Sequence, residues 1–206
     1  MNTEVKDRIV KAASGLFLRN GIRSVSMDDI ATNLAMSKKT LYKWFSNKDE
    51  IVHEAMRRHV TREENDCTVA FPTAANALEE MLQLMQWHRQ LLTELHPSLF
   101  HDLQKYHPQA WRVFEEHKNT FVLQKVIENL RRGMTEGVYR DDLDVEALAR
   151  LRLAEIELCF NPDVFPHRQF ELQHLHIMCL EHFLLGISSL KGHKLINQYR
   201  QVVEAE

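Results

Sequence analysis

Cysteine, proline and glycine are all scarce in this chain. Its 206 residues include three Cys, five Pro and six Gly. So few breakers favour helices throughout, and no Gly/Ser stretch supplies a loose linker between domains. The cysteines, Cys67, Cys159 and Cys179, are odd in number and show no C-x-x-C spacing. That speaks against a disulfide framework and for reduced thiols. Cys159 and Cys179 lie in apolar helical surroundings and are expected to act as small core residues, not as a redox sensor. No apolar run reaches the length of a membrane span, and the first residues, MNTEVKDRIVKAASGLF, lack the apolar centre of a signal peptide. The expected location is the cytoplasm, with no membrane partner. Catalytic signatures are missing too: no Gly-rich phosphate loop, no G-x-S-x-G, no H-E-x-x-H and no convincing Cys/His pair. Neither catalytic residues nor a cofactor are expected, and the chain reads as a non-enzyme.

The composition that remains, 44% hydrophobic and 27% charged, is that of a protein with a real core, long enough for one small and one medium domain. The formal net charge is −3. Its distribution says more than its size. Residues 1–60 hold 11 Lys/Arg and 7 Asp/Glu, whereas residues 61–206 hold 15 and 22. A basic head on an acidic body suits a protein that docks on a polyanion by one end.

Residues 24–50, SVSMDDIATNLAMSKKTLYKWFSNKDE, show what that head is built for. Ser26 is an N-cap with Asp29 three residues on, in capping-box register. The helix it opens runs from Met27 to about Leu34, with Met27, Ile30 and Leu34 as one apolar stripe. Ser37 is the next N-cap, which leaves only Ala35 and Met36 for the turn. The second helix, about Lys38 to Phe45, turns Leu41 and Phe45 inward. Lys38, Lys39, Thr40, Tyr42 and Lys43 are left mostly outward. Three cations, a hydroxyl and a phenol on two turns can serve phosphates and base edges alike. Ser46 caps a third helix with Lys48 in its first turn. Two capped helices separated by a two-residue turn, the second one basic, form a helix-turn-helix DNA reader.

Around this motif the chain reads as helix. Helix 1 runs about Val5 to Arg19 and is ended by Gly21. A long helix from Asn47 to about Thr68 is broken at Pro72, with Thr73 as the next cap. Further helices are expected at about Thr73–Leu95, Pro97–Lys105, Pro108–Met134, Asp144–Phe160 and His167–Leu190, then a short terminal one. The prediction is an all-α protein of about ten helices: an N-terminal three-helix DNA-binding domain over residues 1–50, and a larger helical regulatory and dimerisation domain over 51–206. With the border inside a long helix, the joint is a rod that can transmit movement.

These residues resemble the N-terminal domain of the TetR family of bacterial transcriptional regulators. The resemblance rests on Phe17 and Gly21, Val25-Ser26, Ile30-Ala31, Ser37, Thr40-Leu41-Tyr42, Phe45 and Asn47-Lys48-Asp49-Glu50, and covers about residues 5–56. Two positions depart from it: Ala35 stands where the family usually has Gly, and Lys39 where it usually has a small residue. The resemblance implies a dimeric repressor of palindromic double-stranded operator DNA, released by a small-molecule inducer. Phosphates would be held by Ser26, Tyr42 and Lys48. Ser37 opens the reading helix, and Lys38, Lys39, Thr40 and Lys43 would face base edges.

The body offers candidates for the remaining roles. Met81, Met85, His88, Phe100, Trp111 and Phe114 form a Met/aromatic group of the kind that lines an apolar ligand pocket, or equally fills a plain core. The helices around Val145–Phe160 and Leu175–Ile187 are apolar on nearly every side. One face of each can pack on the subunit core and the other on a second copy. Leu148, Ile156, Leu175, Met178, Leu185, Gly186 and Ser189 are the expected homodimer contacts. Twelve histidines raise a metal site, and Glu171-x-x-His174 and Glu50-x-x-His53 have the spacing of a di-iron half-site. One copy sits in the head, so no metal ligand is expected. The competing reading is a metal- or haem-responsive sensor regulator, and after it a helical enzyme.

Overall fold

The computed structural model describes residues 2–70, 74–93, 95–166 and 168–204; the side chains of Cys67 and His88 fall outside the described ones. Pro72, Thr73 and His167, expected at helix boundaries, also lie outside the described residues. Among those described there are eleven α-helices. They are α1 (Asn2–Asn20), α2 (Met27–Asn33), α3 (Lys38–Tyr42), α4 (Lys48–Ala70), α5 (Ala77–Thr93), α6 (Leu99–Tyr106), α7 (Pro108–His117), α8 (Leu123–Thr135), α9 (Val145–Cys159), α10 (Leu172–Ile187) and α11 (Leu190–Glu204). A π-helical turn, Lys118–Val122, stands between α7 and α8. The all-α expectation holds. Helical backbone runs unbroken from Pro108 to Thr135, as expected, but a π turn directly after the buried His117 interrupts its α-helical bonding. Such a turn inserts one extra residue per bond and rotates the residues after it relative to those before it.

The chain divides into two compact units, one of Met1–Asp66 with Glu94–His117 and the other of Cys67–Thr93 with Lys118–Glu206. The expected border at residue 50 falls inside α4. The first unit runs on to Asp66 and takes in a second, remote segment. Its core joins Ile9, Val10, Ala13 and Phe17 of α1 to Ile30, Leu41, Phe45, Ile51 and Val52, and then to Leu99, Leu103 and Ala110 of α6 and α7. Polar bonds fix the remote segment in place. The buried Asp102 carboxylate accepts from the Arg23 backbone N–H at 3.0 Å and from the Ser98 hydroxyl at 3.2 Å. The His96 N–H donates to the Leu18 carbonyl at 2.6 Å. His107, buried, pairs with Asp49 at 2.6 Å. Gly21 has φ +78, and a Cβ there would stand 2.8 Å from the Ser98 hydroxyl, so only glycine fits. Further along, His117 lies between two carboxylates of α4, Glu63 at 3.4 Å and Glu64 at 3.2 Å.

The second unit packs α5, α8, α9, α10 and α11 around Leu78, Leu130, Val138, Leu153, Leu180, Phe183, Leu184 and Ile187. Asn76 supplies the bond expected of Thr73 at the start of α5, accepting from the Glu79 N–H at 2.9 Å. Tyr139, fully buried, donates to Asn129 Oδ1 at 3.0 Å. Burial raises its phenol well above the ordinary value, so it stays protonated and a donor. The Tyr139 ring lies where a Cβ on Gly133 would be, 2.0 Å away, which is why that helical position carries no side chain. Asp144 caps α9 as predicted, accepting from the Ala147 N–H at 3.1 Å. The last long helix of the prediction is shorter than expected: Ser188 turns extended, and α11 begins at Leu190.

Candidate nucleic-acid interface

The motif is assembled by short-range bonds that its own residue types require. Ser26 and Asp29 make the full capping box. The Asp29 N–H donates to Ser26 Oγ at 3.2 Å, and the Ser26 N–H donates back to Asp29 Oδ2 at 2.8 Å. The bonds from Ser26 hold the Asp29 carboxyl below its ordinary pKa, so the cap is charged under all ordinary conditions. At the far end of α2 the Ala35 N–H bonds to the Thr32 carbonyl at 3.0 Å and the Met36 N–H to the Ala31 carbonyl at 2.9 Å. This is the paired closure of a Schellman turn, which needs a left-handed residue between its two donors. Ala35 occupies that place with φ +49, the one positive φ outside glycine among the described residues.

Ser37 then caps α3, accepting from the Thr40 N–H at 3.1 Å, with the Thr40 hydroxyl 2.8 Å from Ser37 Oγ. Regular helix ends at Tyr42, short of the predicted Phe45. The Trp44 N–H bonds to Leu41 at 2.9 Å and the Phe45 N–H to the same carbonyl at 3.1 Å, so the last turn tightens without unwinding. Leu41 and Phe45 are buried, as the stripe required. Lys39, Tyr42 and Lys43 are exposed, with Thr40 half-buried beside them. Lys38 is exposed but engaged: its ammonium meets Asp28 of α2 at 2.5 Å, and that bond raises its pKa.

Lys48 has a task that spacing did not reveal. Its ammonium donates to the Ile22 carbonyl at 3.0 Å and to the Val25 carbonyl at 2.9 Å. It therefore ties the start of α4 to the link between α1 and α2. Partial burial lowers its pKa, and the nearby Asp49 and Asp102 offset that. Its donors point into the domain, so Lys39 and Lys43 are the motif lysines best placed to meet a ligand.

A profile of bacterial regulatory proteins, tetR family, matches residues 9–55. The helix-turn-helix segment is that of the tetR family. Over 152 residues it is 23% identical to the HTH-type transcriptional repressor KstR2 of Mycolicibacterium smegmatis, across 70% of this chain and 72% of that one. Solved structures repeat the fold at low identity. A protein from Saccharomonospora viridis solved in complex with choline superposes with a TM-score of 0.74 at 22% identity, covering 91% of this chain and 99% of that one. The FadR regulator of Bacillus subtilis, solved with stearoyl-CoA, gives 0.64 at 19%, covering 87% and 98%. In sequence and fold the chain is accordingly similar to tetR-family transcriptional regulators, with an N-terminal helix-turn-helix and a helical C-terminal part.

The expected pocket residues are divided between the two units. Phe100, Trp111 and Phe114 pack on the core of the first unit, with ring centres 5.2 Å apart for Phe100–Phe114 and 5.1 Å for Trp111–Phe114. Met81 and Met85 belong to the core of the second. The His88 side chain lies outside the described residues. Of the expected dimer contacts, Met178 and Gly186 are exposed; Leu148, Ile156, Leu185 and Ser189 are half-buried. Leu175 is buried within the single chain at 3% exposure, spent on its own core. Leu151, 51% exposed, and Leu158, 43%, also face outward from the broadly apolar α9. Among the described residues no group of three or more His, Cys, Asp or Glu is gathered as a metal site, and no helix is long and apolar enough to cross a membrane.

Proposed function

We propose that this regulator is a ligand-responsive repressor that binds a palindromic operator as a homodimer. The observation that carries the DNA reading is the capped, basic α3 held rigid against α2, with Lys39, Tyr42 and Lys43 exposed on it. Ser26, Ser37, Lys38 and Thr40 complete the surface that we assign to DNA. Residues 1–50 hold this reading surface and the rest of the chain the regulatory part. Release by a small molecule is supported by likeness in fold to the choline-bound and stearoyl-CoA-bound proteins. Those two ligands share little chemistry, so the fold does not choose between them. Helix α4 is continuous from Lys48 to Ala70, past the end of the first unit, and is the element we assign to carrying the signal.

Affinity should fall with salt, because each lysine–phosphate contact releases condensed counterion. Lys39→Ala and Lys43→Ala should each flatten the slope of log affinity against log salt by about 1 if the lysine meets a phosphate, and should relax sequence preference if it meets a base. Gel shifts with fragments from around the protein's own coding region, at several salt concentrations, decide it. Affinity that ignores salt, or wild-type affinity in both variants, would refute the interface.

The dimer reading rests on the outward Leu151, Leu158 and Met178 of α9 and α10. Gly186 gives a clean probe, since a Cβ there would meet nothing within 4 Å inside the chain. Gly186→Arg should leave the subunit folded and separate the pair, because a buried unpaired cation costs several kcal/mol, about 3–5. Light scattering of the wild type should give twice 24.3 kDa, and of the variant 24.3 kDa. A monomeric wild type places the interface elsewhere or nowhere.

A further inference from the structure

Helices α9 and α10 pack against each other and bring together two cysteines that lie twenty positions apart. Cys159, in the last turn of α9, is 1% exposed, and its thiol points at the Cys179 sulfur, 3.6 Å away. Cys179 is half-buried, the more open of the two, and both are free thiols. From sequence these residues read as separate core fillers. The packing makes them a pair in van der Waals contact, the arrangement from which a disulfide can close by side-chain rotation.

The pair has a buried cation beside it. Arg152 lies two turns before Cys159 on α9 and is itself buried. Its Nη1 stands 3.3 Å from Glu155 Oε2 and its guanidinium 5.8 Å from the Phe183 ring centre. Burial pushes the Cys159 thiol up to about 12, aided by Cys179, and the Arg152 charge acts against that rise. Cys159 therefore stays protonated, and the more accessible sulfur is the one that meets a reagent from solvent.

We propose that Cys159 and Cys179 form an oxidation site that takes a hydroperoxide and closes to an intrachain disulfide between α9 and α10. In the first step the Cys179 thiolate attacks one peroxide oxygen and the O–O bond breaks. The sulfur becomes a sulfenic acid and the second oxygen leaves as water, or as an alcohol from an alkyl hydroperoxide. In the second step the Cys159 sulfur attacks the sulfenic sulfur. The S–O bond breaks, the Cys159 proton goes with the departing hydroxyl, and another water forms. Two thiols are oxidised by two electrons and one peroxide is reduced, so the balance closes. Arg152 favours the Cys159 thiolate that forms as its proton passes to the departing hydroxyl.

The test uses the reduced full chain and hydrogen peroxide, read by intact mass and thiol labelling. Oxidised protein should lose two hydrogens, about 2 Da per chain, and two of its three thiols, with Cys67 still open to alkylation. Digestion should yield a Cys159–Cys179 cross-linked peptide that dithiothreitol removes. Cys159→Ser should stop at the sulfenic acid on Cys179, trapped by dimedone. In Cys179→Ser the Cys159 thiol should be lost at least about ten-fold more slowly than in wild type, since that sulfur is buried. A cross-link that includes Cys67, three thiols intact at excess peroxide, or equal oxidation rates in Cys179→Ser and wild type would each overturn the proposal.

Discussion

Ala35 should be the weakest residue choice in the head, and Ala35→Gly should make the protein more stable. The Schellman turn between α2 and α3 requires a left-handed residue, and Ala35 supplies it with φ +49. For a residue with a Cβ that conformation costs about 1–2 kcal/mol. Glycine removes the cost but gains freedom in the unfolded chain, which returns about 0.4–1 kcal/mol. Ala35 is exposed, so its methyl group contributes little burial that could be lost. The net gain should be about 0.5–1 kcal/mol, which for a unit of this size raises the melting temperature by about 2–6 °C. Ala35→Val is the control: its branched Cβ meets the same conformation less well and should melt below wild type. Differential scanning calorimetry of the three proteins at equal concentration measures both. If Ala35→Gly melts at or below wild type, or Ala35→Val above it, the turn is not the strained element described. The side-chain order at this position would then need another cause.

Two more outcomes are expected from bonds in the same unit. Lys48→Met should destabilise the protein by about 1–3 kcal/mol in urea unfolding, because the Val25 carbonyl loses its ammonium donor; unchanged stability with weakened DNA binding would return Lys48 to the phosphate-contacting set. His117 should make stability depend on pH. Burial alone would lower its pKa, but the bonds and charges of Glu63 and Glu64 outweigh that and raise it, with His59 of α4 also facing Glu63 at 3.8 Å. A raised folded-state pKa stabilises fully below the unfolded value of about 6.5 and is lost as pH climbs through the folded one. The stability gap between wild type and His117→Gln should therefore narrow as pH rises above about 6.5, and a gap that widens with rising pH would refute the pairing.

The head was legible because its signals are local. Ser26 with Asp29, Ser37 with Thr40 and the Leu41/Phe45 stripe each act within four residues, and every one appears in the fold. What escaped the sequence depends on which distant helices meet. Asp102 and His107 become part of the head only because α6 and α7 pack there. Lys48 turns inward for a similar reason: its carbonyl partners lie more than twenty residues back. Cys159 and Cys179 carried no spacing signal, since adjacent helices pair residues at separations fixed by loop length. The Met/aromatic group divides between two cores, because a helical stripe announces burial without naming which core it enters.

The first unit is made from two pieces of chain with residues 67–93 between them. That order sets a schedule for synthesis. When Asp66 has been added, the core around Phe17 and Leu41 still lacks Leu99, Leu103 and Ala110, and Arg23 still lacks Asp102. At about 5–20 residues per second, His117 is added about 3–10 s later. During that interval the nascent head carries its basic face complete and its apolar underside uncovered. The helix-turn-helix is encoded first, but it cannot be finished first.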